Sequence, residues 1–559
     1  METRHIVIIG GVAAGMKTAC RLRRLDPDIQ ITVIDRTKDI SYGACPLPYY
    51  IEGLYENLDE VRRTPVGVLR DEAFFQNIKG FDVLSVTEAT AIDRQQRTVN
   101  VRNLESGEEQ TLRYDTLVMA TGNTPIMPPI PGIDLPGVLP LKTMEQAEQI
   151  DQMAATAKNA VIVGGGLIGL EVAEALTKRG VKVTLLEMKD QVMATALDFG
   201  CATLVHRELR SNGVNLRLAE PLQRIEGDGK VERVITDQGS YAADLVLMAI
   251  GVRPVVNLAV AAGLDIGSTG AIAVDEQMKT SDSNIYAAGD CAESTDIISG
   301  KKVYVPLGST ANKHGRVVAN NICGQPERFP GILGSLAVKV FDINVGRTGL
   351  SAADAQLNGY DSVSVIITAP DITHLYPGSK PIIIKLVADA KTRKILGGQV
   401  VGPGNIDKRI DIIVTALSLG ATVDQLANFD LCYAPPFAGA MDAILQAANA
   451  MRNKLDGLAD SMSPCDLSQR IEDGEEMLLL DVRSPTEHSA VRIPGALLMP
   501  LGKLRSRLDE LPKDRLLVPF CKLSLRGFEA AIILKQAGFT NVSYLEGGVL
   551  AWPFELEEN

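Results

Sequence analysis

Two cysteines stand in sequence contexts that favour a reactive thiol. Cys45 is followed by Pro46 at a predicted helix start, where backbone N–H groups stabilise a thiolate and lower the pKa of the cysteine. Cys521 follows an apolar strand and begins a loop, residues 521–526, that leads into a helix. Successive N–H groups in such a loop form a nest for anions, so Cys521 can carry a transferable sulfur as a persulfide. The sequence therefore predicts thiolate chemistry at two sites.

The other cysteines and the histidines predict no further chemistry. The chain has eight cysteines and five histidines in 559 residues. No two cysteines form a CxxC pair, and the histidines lack the spacing of metal ligands. We therefore expect neither a disulfide framework nor a metal site.

A glycine-rich turn in the middle of the chain predicts a dinucleotide site. Gly164, Gly166 and Gly169 lie directly between an apolar strand and a helix. The first allows the tight turn, the second lets the backbone approach a pyrophosphate, and the third lets the helix pack on its strand. Glu187, 18 residues after Gly169, can accept a hydrogen bond from a ribose 2′-hydroxyl and repels a 2′-phosphate. NADH is therefore favoured, while the nearby Lys189 keeps NADPH possible.

A second turn of this kind, near the N-terminus, matches the pattern less completely. Gly10 and Gly15 are in place, but Val12 stands where the second glycine belongs. Asp35 ends the following strand, and Asp290 ends a distant one, where it can bind a ribityl hydroxyl. The alternative is that these are ordinary junctions between strands and turns.

The elements that must position these residues predict an α/β chain of several domains. Each glycine turn follows a continuous apolar strand, as expected of parallel strands covered on both faces. From about Phe329 to Leu455 strands alternate with amphipathic helices, which is typical of an α+β domain. A compact α/β segment follows a polar stretch that predicts a linker.

Composition limits the function. Apolar residues make up 46% and charged residues 22% of the chain, as in globular proteins. The net charge of -13 argues against a general nucleic-acid binder. No apolar stretch is long enough to span a membrane, and the N-terminus has no secretory pattern. We therefore expect a soluble cytoplasmic protein.

From about residue 4 to 455 these motifs resemble the flavoprotein disulfide reductases that bind two dinucleotides. The resemblance implies FAD at the first turn, NADH at the second, and a homodimer. It also implies that Thr310-Ala311-Asn312 opens a helix whose positive end faces the flavin. The implied FAD residues are Gly10, Ala13, Ala14, Gly15, Asp35, Arg36, Thr121, Gly122, Asp290 and Ala311. The implied NAD residues are Gly164, Gly166, Gly169, Glu187 and Gly251.

Because no second cysteine follows Cys45 at position 50, the resemblance is to the coenzyme A disulfide reductase branch of this family. The two-cysteine branch has its second cysteine where this chain has Tyr50, so Cys45 must react with an outside thiol or cycle as a sulfenic acid or persulfide. Ser41 and Cys45 match the motif of the single-cysteine branch, whereas Ala44 replaces its usual asparagine. Arg24 and Ser41 match positions that contact coenzyme A.

Two tyrosines extend this resemblance. Tyr376 and Tyr433 are similar to tyrosines of the interface domain that reach the active site of the other subunit. Their phenols could protonate a leaving thiolate or hold a sulfur substrate. The alternative is that both are packing residues.

The last part of the chain, about residues 467 to 552, resembles rhodanese. Asp481-Val482-Arg483, Gly547-Gly548 and Trp552 carry this resemblance together with the 521–526 loop. The loop, from Cys521 to Arg526, has the length found in members that handle sulfur. The resemblance implies catalytic roles for both of these residues.

The predicted fold is α/β, with two Rossmann-like dinucleotide-binding domains, an α+β dimerisation domain and a C-terminal rhodanese-like α/β domain. We expect the FAD domain at 1–125 and 252–326, the NAD domain at 126–251, the interface domain at 327–452, a linker at 453–465, and the rhodanese-like domain at 466–559.

The predicted function is FAD-dependent reduction by NADH of a disulfide, persulfide or polysulfide, of the coenzyme A type, coupled to sulfane-sulfur transfer. The expected partners are small sulfur compounds, with no nucleic acid and no membrane. One alternative is an NADH oxidase or peroxidase in which Cys45 cycles through a sulfenic acid. Another is a sulfur carrier in which the flavin half only senses redox state.

Overall fold

The computed structural model describes residues 4–558, which form two compact units. The first unit comprises the chain up to Met188 together with Ala219–Ile332, and the second comprises Lys189–Leu218 and the chain from Leu333 onward. No helix in the part of the chain that the structure describes is long and apolar enough to cross a membrane.

The first parallel sheet of the first unit carries the N-terminal glycine turn. Strand β1 (His5–Ile9) leads into helix α1 (Ala14–Leu25) and pairs in parallel with strand β2 (Gln30–Ile34). The last four residues of each strand are buried, because neighbouring elements cover both faces of the sheet. The sheet has the order Ile285–Ala287, Thr116–Met119, β1, β2, Asp82–Leu84. The short helix α2 (Leu47–Glu52) follows Cys45 and Pro46.

The second parallel sheet repeats this plan around the other glycine turn. Strand β3 (Asn159–Val163) leads into helix α3 (Leu167–Lys178), and strand β4 (Lys182–Leu186) pairs with β3 in parallel. On the other side of β3 lie Leu245–Met248 and then Val138–Pro140, both also parallel. The predicted pair of Rossmann-like units is therefore confirmed.

Helix α4 (Gly308–Ile322) packs against α1. The other helices of the first unit are Glu72–Phe74, Met144–Ala154 and Asn257–Ala261. Its other strands are Thr87–Asp93, Thr98–Asn103, Glu109–Arg113, Asn123–Pro125, Leu222–Glu226, Arg233–Thr236, Ser240–Ala242, Val252–Pro254, Ser294–Thr295 and Lys302–Val303.

The second unit contains the predicted α+β domain, built on an antiparallel sheet. The sheet has five strands in the order Leu336–Val340, Ile343–Gly349, Ile395–Gly402, Pro381–Asp389 and β5 (Ser362–Pro370). Strand β5 is an edge strand of this sheet, and helix Ala443–Leu455 packs against it.

The C-terminal part of the second unit is a smaller α/β domain. Strand β6 (Leu516–Phe520) pairs in parallel with Met477–Asp481 and leads through the 521–526 loop into helix α5 (Leu525–Gln536). The other helices of this unit are Phe199–Ser211, Ala352–Leu357, Asp407–Ser418, Val423–Leu426, Pro464–Glu472, Pro485–Ala490 and Leu501–Leu504. Its other strands are Asn215–Arg217, Asp460–Met462, Val491–Arg492, Leu497–Leu498, Ser543–Leu545 and Glu557–Glu558.

The segment predicted as a linker, 453–465, is mostly regular structure. Helix Ala443–Leu455 runs into it, Asp460–Met462 pairs with Ser543–Leu545, and a helix begins at Pro464. Part of the polarity of this segment comes from helix capping rather than from a linker. The Ser463 hydroxyl accepts a hydrogen bond from the N–H of Asp466, in a capping box at the start of that helix.

Candidate active site

The N-terminal turn has the geometry of a pyrophosphate-binding turn. Gly10 has φ of +115°, and a Cβ there would overlap the carbonyl oxygen of Ala120. A Cβ on Gly15 would overlap the carbonyl oxygen of Gly10, so the close packing of α1 on β1 requires glycine. Ala13 is the N-cap of α1 and Ala14 its first residue, which leaves the first N–H groups of the helix at the turn.

The second turn repeats these constraints. Gly164 has φ of +108°, and a Cβ on Gly169 would overlap the carbonyl oxygen of Gly164. Gly166, the N-cap of α3, has no atom within 4 Å of the place its Cβ would take. The backbone at Gly166 is therefore accessible to a phosphate. Gly251, with φ of +114°, follows strand Leu245–Met248.

The acidic residues that follow β2 and β4 each accept a hydrogen bond from the glycine turn of their own sheet. Oδ2 of Asp35 accepts a hydrogen bond from the N–H of Gly11 at 2.7 Å, and Oε2 of Glu187 accepts one from the N–H of Gly165 at 2.7 Å. Each carboxylate thus lies against its glycine turn. Arg36, next to Asp35, is exposed.

The surroundings of Asp290 fit a polar ligand. Its carboxylate accepts a hydrogen bond from Nδ2 of Asn123 at 2.7 Å, and burial raises the pKa of Asp290 while Lys142 lowers it. Oδ1 of Asn123 and the hydroxyl of Tyr304 are buried without a partner in the part of the chain that the structure describes. Since buried polar atoms are normally paired, these groups suit the polar parts of FAD.

The remaining residues predicted to bind FAD lie near these groups. The Thr121 hydroxyl donates to the carbonyl oxygen of Val255 at 2.6 Å, and Gly122 has φ of +69°. Ala311 is buried in the first turn of α4, against Gly289. The N-terminal end of α4 is therefore next to Gly289 and Asp290.

Cys45 keeps an exposed surface just before α2, where Pro46 is the N-cap. Its predicted low pKa is wrong. Burial among neighbouring atoms raises the pKa of the Cys45 thiol, the Glu171 carboxylate raises it further, and the smaller lowering by Lys142 does not compensate. Helix α2 has only six residues, so its dipole is outweighed by desolvation and carboxylate charge.

Two ionisable residues near Cys45 were missed by the sequence analysis. Glu171 lies on α3, and its Oε1 accepts a hydrogen bond from the Tyr49 hydroxyl at 3.4 Å. Burial raises the pKa of Glu171 to about 7. Burial lowers the pKa of Lys142, whereas Asp290 and Cys45 raise it. The position of Glu171, two residues after Gly169, was a usable signal, but nothing in the sequence singles out Lys142.

The two residues matched to coenzyme A contacts lie at opposite ends of α1. Ser41 is buried with φ of +53°, and its N–H donates to the carbonyl oxygen of Gly11 at 2.8 Å. Arg24 is exposed in the last turn of α1. Arg24 lies ten positions after Ala14 in this helix, a rise of about 15 Å, so only an extended ligand could contact both Ser41 and Arg24.

In the second unit, the segments that contain Tyr376 and Tyr433 lie side by side. The N–H of Thr373 donates to the carbonyl oxygen of Pro435 at 3.2 Å, and the Thr373 hydroxyl donates to that of Ala438 at 2.9 Å. Tyr376 is 42% and Tyr433 53% exposed. Large apolar side chains around them are also exposed: Leu375, Phe437 and Met441. Such a patch is typical of an interaction surface.

The 521–526 loop surrounds the second reactive cysteine. Cys521 is 1% exposed, and its Sγ accepts a hydrogen bond from the N–H of Ser524 at 3.3 Å. Ser524 has φ of +129°, a strained conformation for a residue with a Cβ. Its own hydroxyl is buried without a partner among residues 4–558. The loop therefore directs the N–H of Ser524 at the sulfur of Cys521.

Arg526 is held beside Cys521 by Glu487, which the sequence analysis missed. Nη1 and Nη2 of Arg526 donate to the two carboxylate oxygens of Glu487 at 2.9 and 2.7 Å. This pairing raises the pKa of Arg526 and is the main cause that lowers the pKa of Glu487 to about 2. A hydrogen bond with Cys521 also contributes to the shift of Arg526. Glu487 therefore orients the cation that faces the sulfur.

Three protein families match successive parts of the chain. Residues 4–315 match the pyridine nucleotide-disulphide oxidoreductase family, 336–444 match the dimerisation domain of that family, and 463–554 match the rhodanese-like domain. The chain belongs to the pyridine nucleotide-disulphide oxidoreductases. It is an oxidoreductase that uses FAD and NAD(P)H, fused to a rhodanese domain. The glycine turns and the unpaired polar groups near Asp290 fit these cofactors.

Among pyridine nucleotide-disulphide oxidoreductases, the chain is similar to proteins of two activities. A solved NAD-dependent persulfide reductase from A. fulgidus is 43% identical with a TM-score of 0.93, covering 98% of this chain and 100% of that one. An NAD(P)H coenzyme A polysulfide/persulfide reductase from Pyrococcus horikoshii is 39% identical over 80% of this chain and 98% of that protein. An NADH oxidase from Methanocaldococcus jannaschii is 37% identical over 80% and 99%.

Proposed function

We propose that this protein uses NADH to reduce coenzyme A persulfide or polysulfide, with Cys45 as the reducing thiol and Cys521 as a carrier of sulfane sulfur. The observation that carries the proposal is the pairing of two cysteine sites in one chain. Cys45 has no second cysteine beside it, and Cys521 lies in a loop built around a single sulfur. The similarity to persulfide reductases, which for the A. fulgidus protein includes the rhodanese part, supports it.

The reaction is balanced in sulfur and electrons. The Cys45 thiolate attacks the inner sulfur of coenzyme A persulfide, forming a mixed disulfide and releasing hydrosulfide. Two electrons from NADH then cleave this disulfide, and protonation gives the coenzyme A thiol and restores Cys45. FAD, when bound, supplies the relay between the nicotinamide and sulfur. Overall, persulfide, NADH and a proton give thiol, hydrogen sulfide and NAD+.

Other residues of the chain manage protons and substrate in this proposal. Glu171, whose pKa burial raises to about 7, exchanges a proton near Cys45 at neutral pH. In a homodimer formed by the dimerisation domain, Tyr376 and Tyr433 of each subunit face Cys45 of the other and protonate the leaving sulfur. Their exposure, 42% and 53%, leaves them accessible for this role.

Coenzyme A binding and sulfur transfer complete the proposal. Arg24 binds phosphates of coenzyme A, and Ser41 lies towards its thiol end. Cys521 accepts or donates the outer sulfur of a persulfide, with Arg526 stabilising the anion. We propose FAD binding by residues 1–125 with 252–326 and NAD binding by 126–251. We propose dimerisation by 327–452 and sulfur transfer by 466–559.

The competing function is that of an NADH oxidase or peroxidase, supported by the similarity to the M. jannaschii protein. It would cycle Cys45 through a sulfenic acid and would leave Cys521 without a role. Persulfide reduction gives both cysteines a role, and we therefore favour it.

NADH consumption with single acceptors tests the proposal. We expect fast turnover with coenzyme A persulfide or polysulfide under anaerobic conditions and slow turnover with oxygen or peroxide. Cys45→Ser should abolish all turnover, Cys521→Ser should slow persulfide turnover, and Cys323→Ser, at the end of α4, should change neither. Turnover with oxygen or peroxide alone contradicts the proposal. Mass spectrometry of small molecules released from the purified protein checks for coenzyme A.

A further inference from the structure

Glu546 is a buried carboxylate between the dimerisation and rhodanese domains of the second unit. It is 1% exposed. Its Oε1 accepts hydrogen bonds from Nζ of Lys454 at 2.7 Å and from the Ser461 hydroxyl at 2.6 Å, and its Oε2 accepts one from the N–H of Ile366 at 2.8 Å. A carboxylate with this many donors is well compensated for its burial. It joins helix Ala443–Leu455, strand Asp460–Met462 and strand β5 to the rhodanese domain.

The rhodanese domain forms hydrogen bonds with alternate residues on the outer edge of β5. In an antiparallel edge strand, every second residue points its N–H and C=O away from the sheet. Ile366 and Thr368 are two such residues. The N–H of Thr368 donates to the carbonyl oxygen of Leu523 at 3.4 Å, and the Thr368 hydroxyl donates to that of Gly547 at 2.8 Å. The rhodanese domain therefore accepts hydrogen bonds from two outward N–H groups of β5.

One of these contacts reaches Cys521 through a single peptide group. The carbonyl of Leu523 and the N–H of Ser524 belong to the same peptide, which is planar and rigid. The oxygen of this peptide accepts from Thr368, and its N–H donates to Sγ of Cys521 at 3.3 Å. The dipole of the peptide thus points from strand β5 to the sulfur. A rotation of this peptide would break both hydrogen bonds together.

We propose that strand β5 of the dimerisation domain is part of the sulfur-transfer site, with Thr368 as a positioning residue that fixes the Leu523–Ser524 peptide and with Glu546 holding β5 against the rhodanese domain. Thr368 is 5% exposed, and its hydrogen bonds go to the carbonyl oxygens of Leu523 and Gly547 rather than to the sulfur. It acts through the Ser524 N–H, which stabilises negative charge on Cys521 as a thiolate or persulfide. The functional meaning rests on the sulfur-carrier role proposed for Cys521.

The strand position allows the two contacts of Thr368 to be removed separately. Thr368→Val deletes the hydroxyl and keeps the N–H. Thr368→Pro deletes both donors, and proline is tolerated where an edge strand points its N–H away from the sheet. Ser362→Pro, at the beginning of β5, is the matched control, since it places proline on the same edge away from the loop.

The measurement is the pH dependence of Cys521 alkylation by iodoacetamide in the full-length holoprotein, followed by mass spectrometry of the peptide that contains Cys521. We expect Thr368→Pro to move the midpoint of this dependence up by about one pH unit and to slow alkylation at neutral pH about tenfold. Thr368→Val and Glu546→Gln should move it in the same direction by less, and Thr368→Ser should restore the wild-type midpoint relative to Thr368→Val.

An unchanged midpoint in both Thr368→Pro and Glu546→Gln overturns the proposal, as does an equal shift in Ser362→Pro. If Thr368→Pro does not fold, Glu546→Gln and the pair of Thr368→Val and Thr368→Ser still decide it. The assay reads Cys521 directly, without NADH or an acceptor. A failure of the proposed reductase activity would therefore leave this profile in place, which separates the two outcomes.

Discussion

Cys45 is a residue whose reactivity is set by side chains from other elements. Burial is the largest cause that raises the pKa of Cys45, the carboxylates of Glu171 on α3 and of Asp290 raise it further, and Lys142 lowers it. The net shift is upward, so the free thiol is the dominant form near neutral pH. Protonation of a nearby carboxylate favours the thiolate of such a cysteine and makes it more reactive. Glu171, with a pKa of about 7, can be protonated near neutral pH.

Glu171→Gln should make Cys45 more reactive. The charged Glu171 carboxylate is one cause that raises the pKa of Cys45, so its removal should lower this pKa and speed the alkylation of Cys45 severalfold at neutral pH. The pH dependence of Cys45 alkylation, followed by peptide mass spectrometry, measures this shift. Glu145→Gln, which changes an exposed carboxylate on another helix, is the control. Equal profiles for the two variants would show that the charge of Glu171 does not reach the sulfur.

Glu487→Gln should impair sulfur transfer more than stability. It removes the carboxylate that holds Arg526 at 2.7 and 2.9 Å, and we expect transfer of the outer sulfur of coenzyme A persulfide to Cys521 to fall about tenfold. The pair is partly exposed, with side chains 36% and 29% accessible, so the stability loss should stay near 1 kcal/mol. Glu510→Gln, which breaks an exposed pair with Arg507, is the comparison. A loss of stability without a loss of transfer contradicts a role for Glu487 at the sulfur.

At the scale of elements, the spacing of the glycines correctly predicted both glycine turns, because steric contacts require glycine there. The turns around Gly10 and Gly164 follow from close contacts with Ala120 and Ala249 that no side chain permits, and such constraints are local enough to read from sequence. Lys142 was not predictable, because its position beside Cys45 arises from tertiary packing. The helix start at Ser463 was missed because capping residues are polar, as linkers are.

Gly164→Ala should disrupt the second glycine turn, which we propose binds NADH. It combines a φ of +108° with overlap of the Ala249 carbonyl oxygen, so we expect a loss of roughly 2 kcal/mol in stability and a clear rise in the NADH concentration needed for flavin reduction. Gly180→Ala is the matched control. Gly180 has φ of +83° but open space around it, so it has the conformational strain without the overlap. Similar NADH dependence for both variants would contradict the assigned role of the turn.

At the scale of the whole molecule, two buried histidines affect stability at low pH. Burial lowers the pKa of His314 and of His206 from 6.5 to about 4. Both rings act as acceptors: Nδ1 of His314 accepts from the N–H of Gly289 at 3.2 Å, and Nε2 of His206 accepts from that of Val192 at 3.1 Å. Protonation would remove these acceptors, so the folded protein requires neutral rings.

The free energy of unfolding should therefore fall between pH 6.5 and 4. In this range the unfolded chain binds protons that the folded chain excludes, and each histidine contributes on the order of 3 kcal/mol that is present above pH 6.5 and lost towards pH 4. Denaturant unfolding at several pH values measures the slope. Replacement of His314 by Gln should reduce it, whereas His374→Asn, at an exposed site, should not. An equal slope in the His314 variant contradicts this assignment.

The occupied edge of β5 has a consequence for chains that end before the rhodanese domain. Without that domain, the outward N–H groups of Ile366 and Thr368 would lose their acceptors, and a nine-residue strand rich in β-branched residues would become an open template. Additional copies can add to such an edge strand by strand and form aggregates. Truncation after Leu455 should therefore yield a product that self-associates, which light scattering would detect.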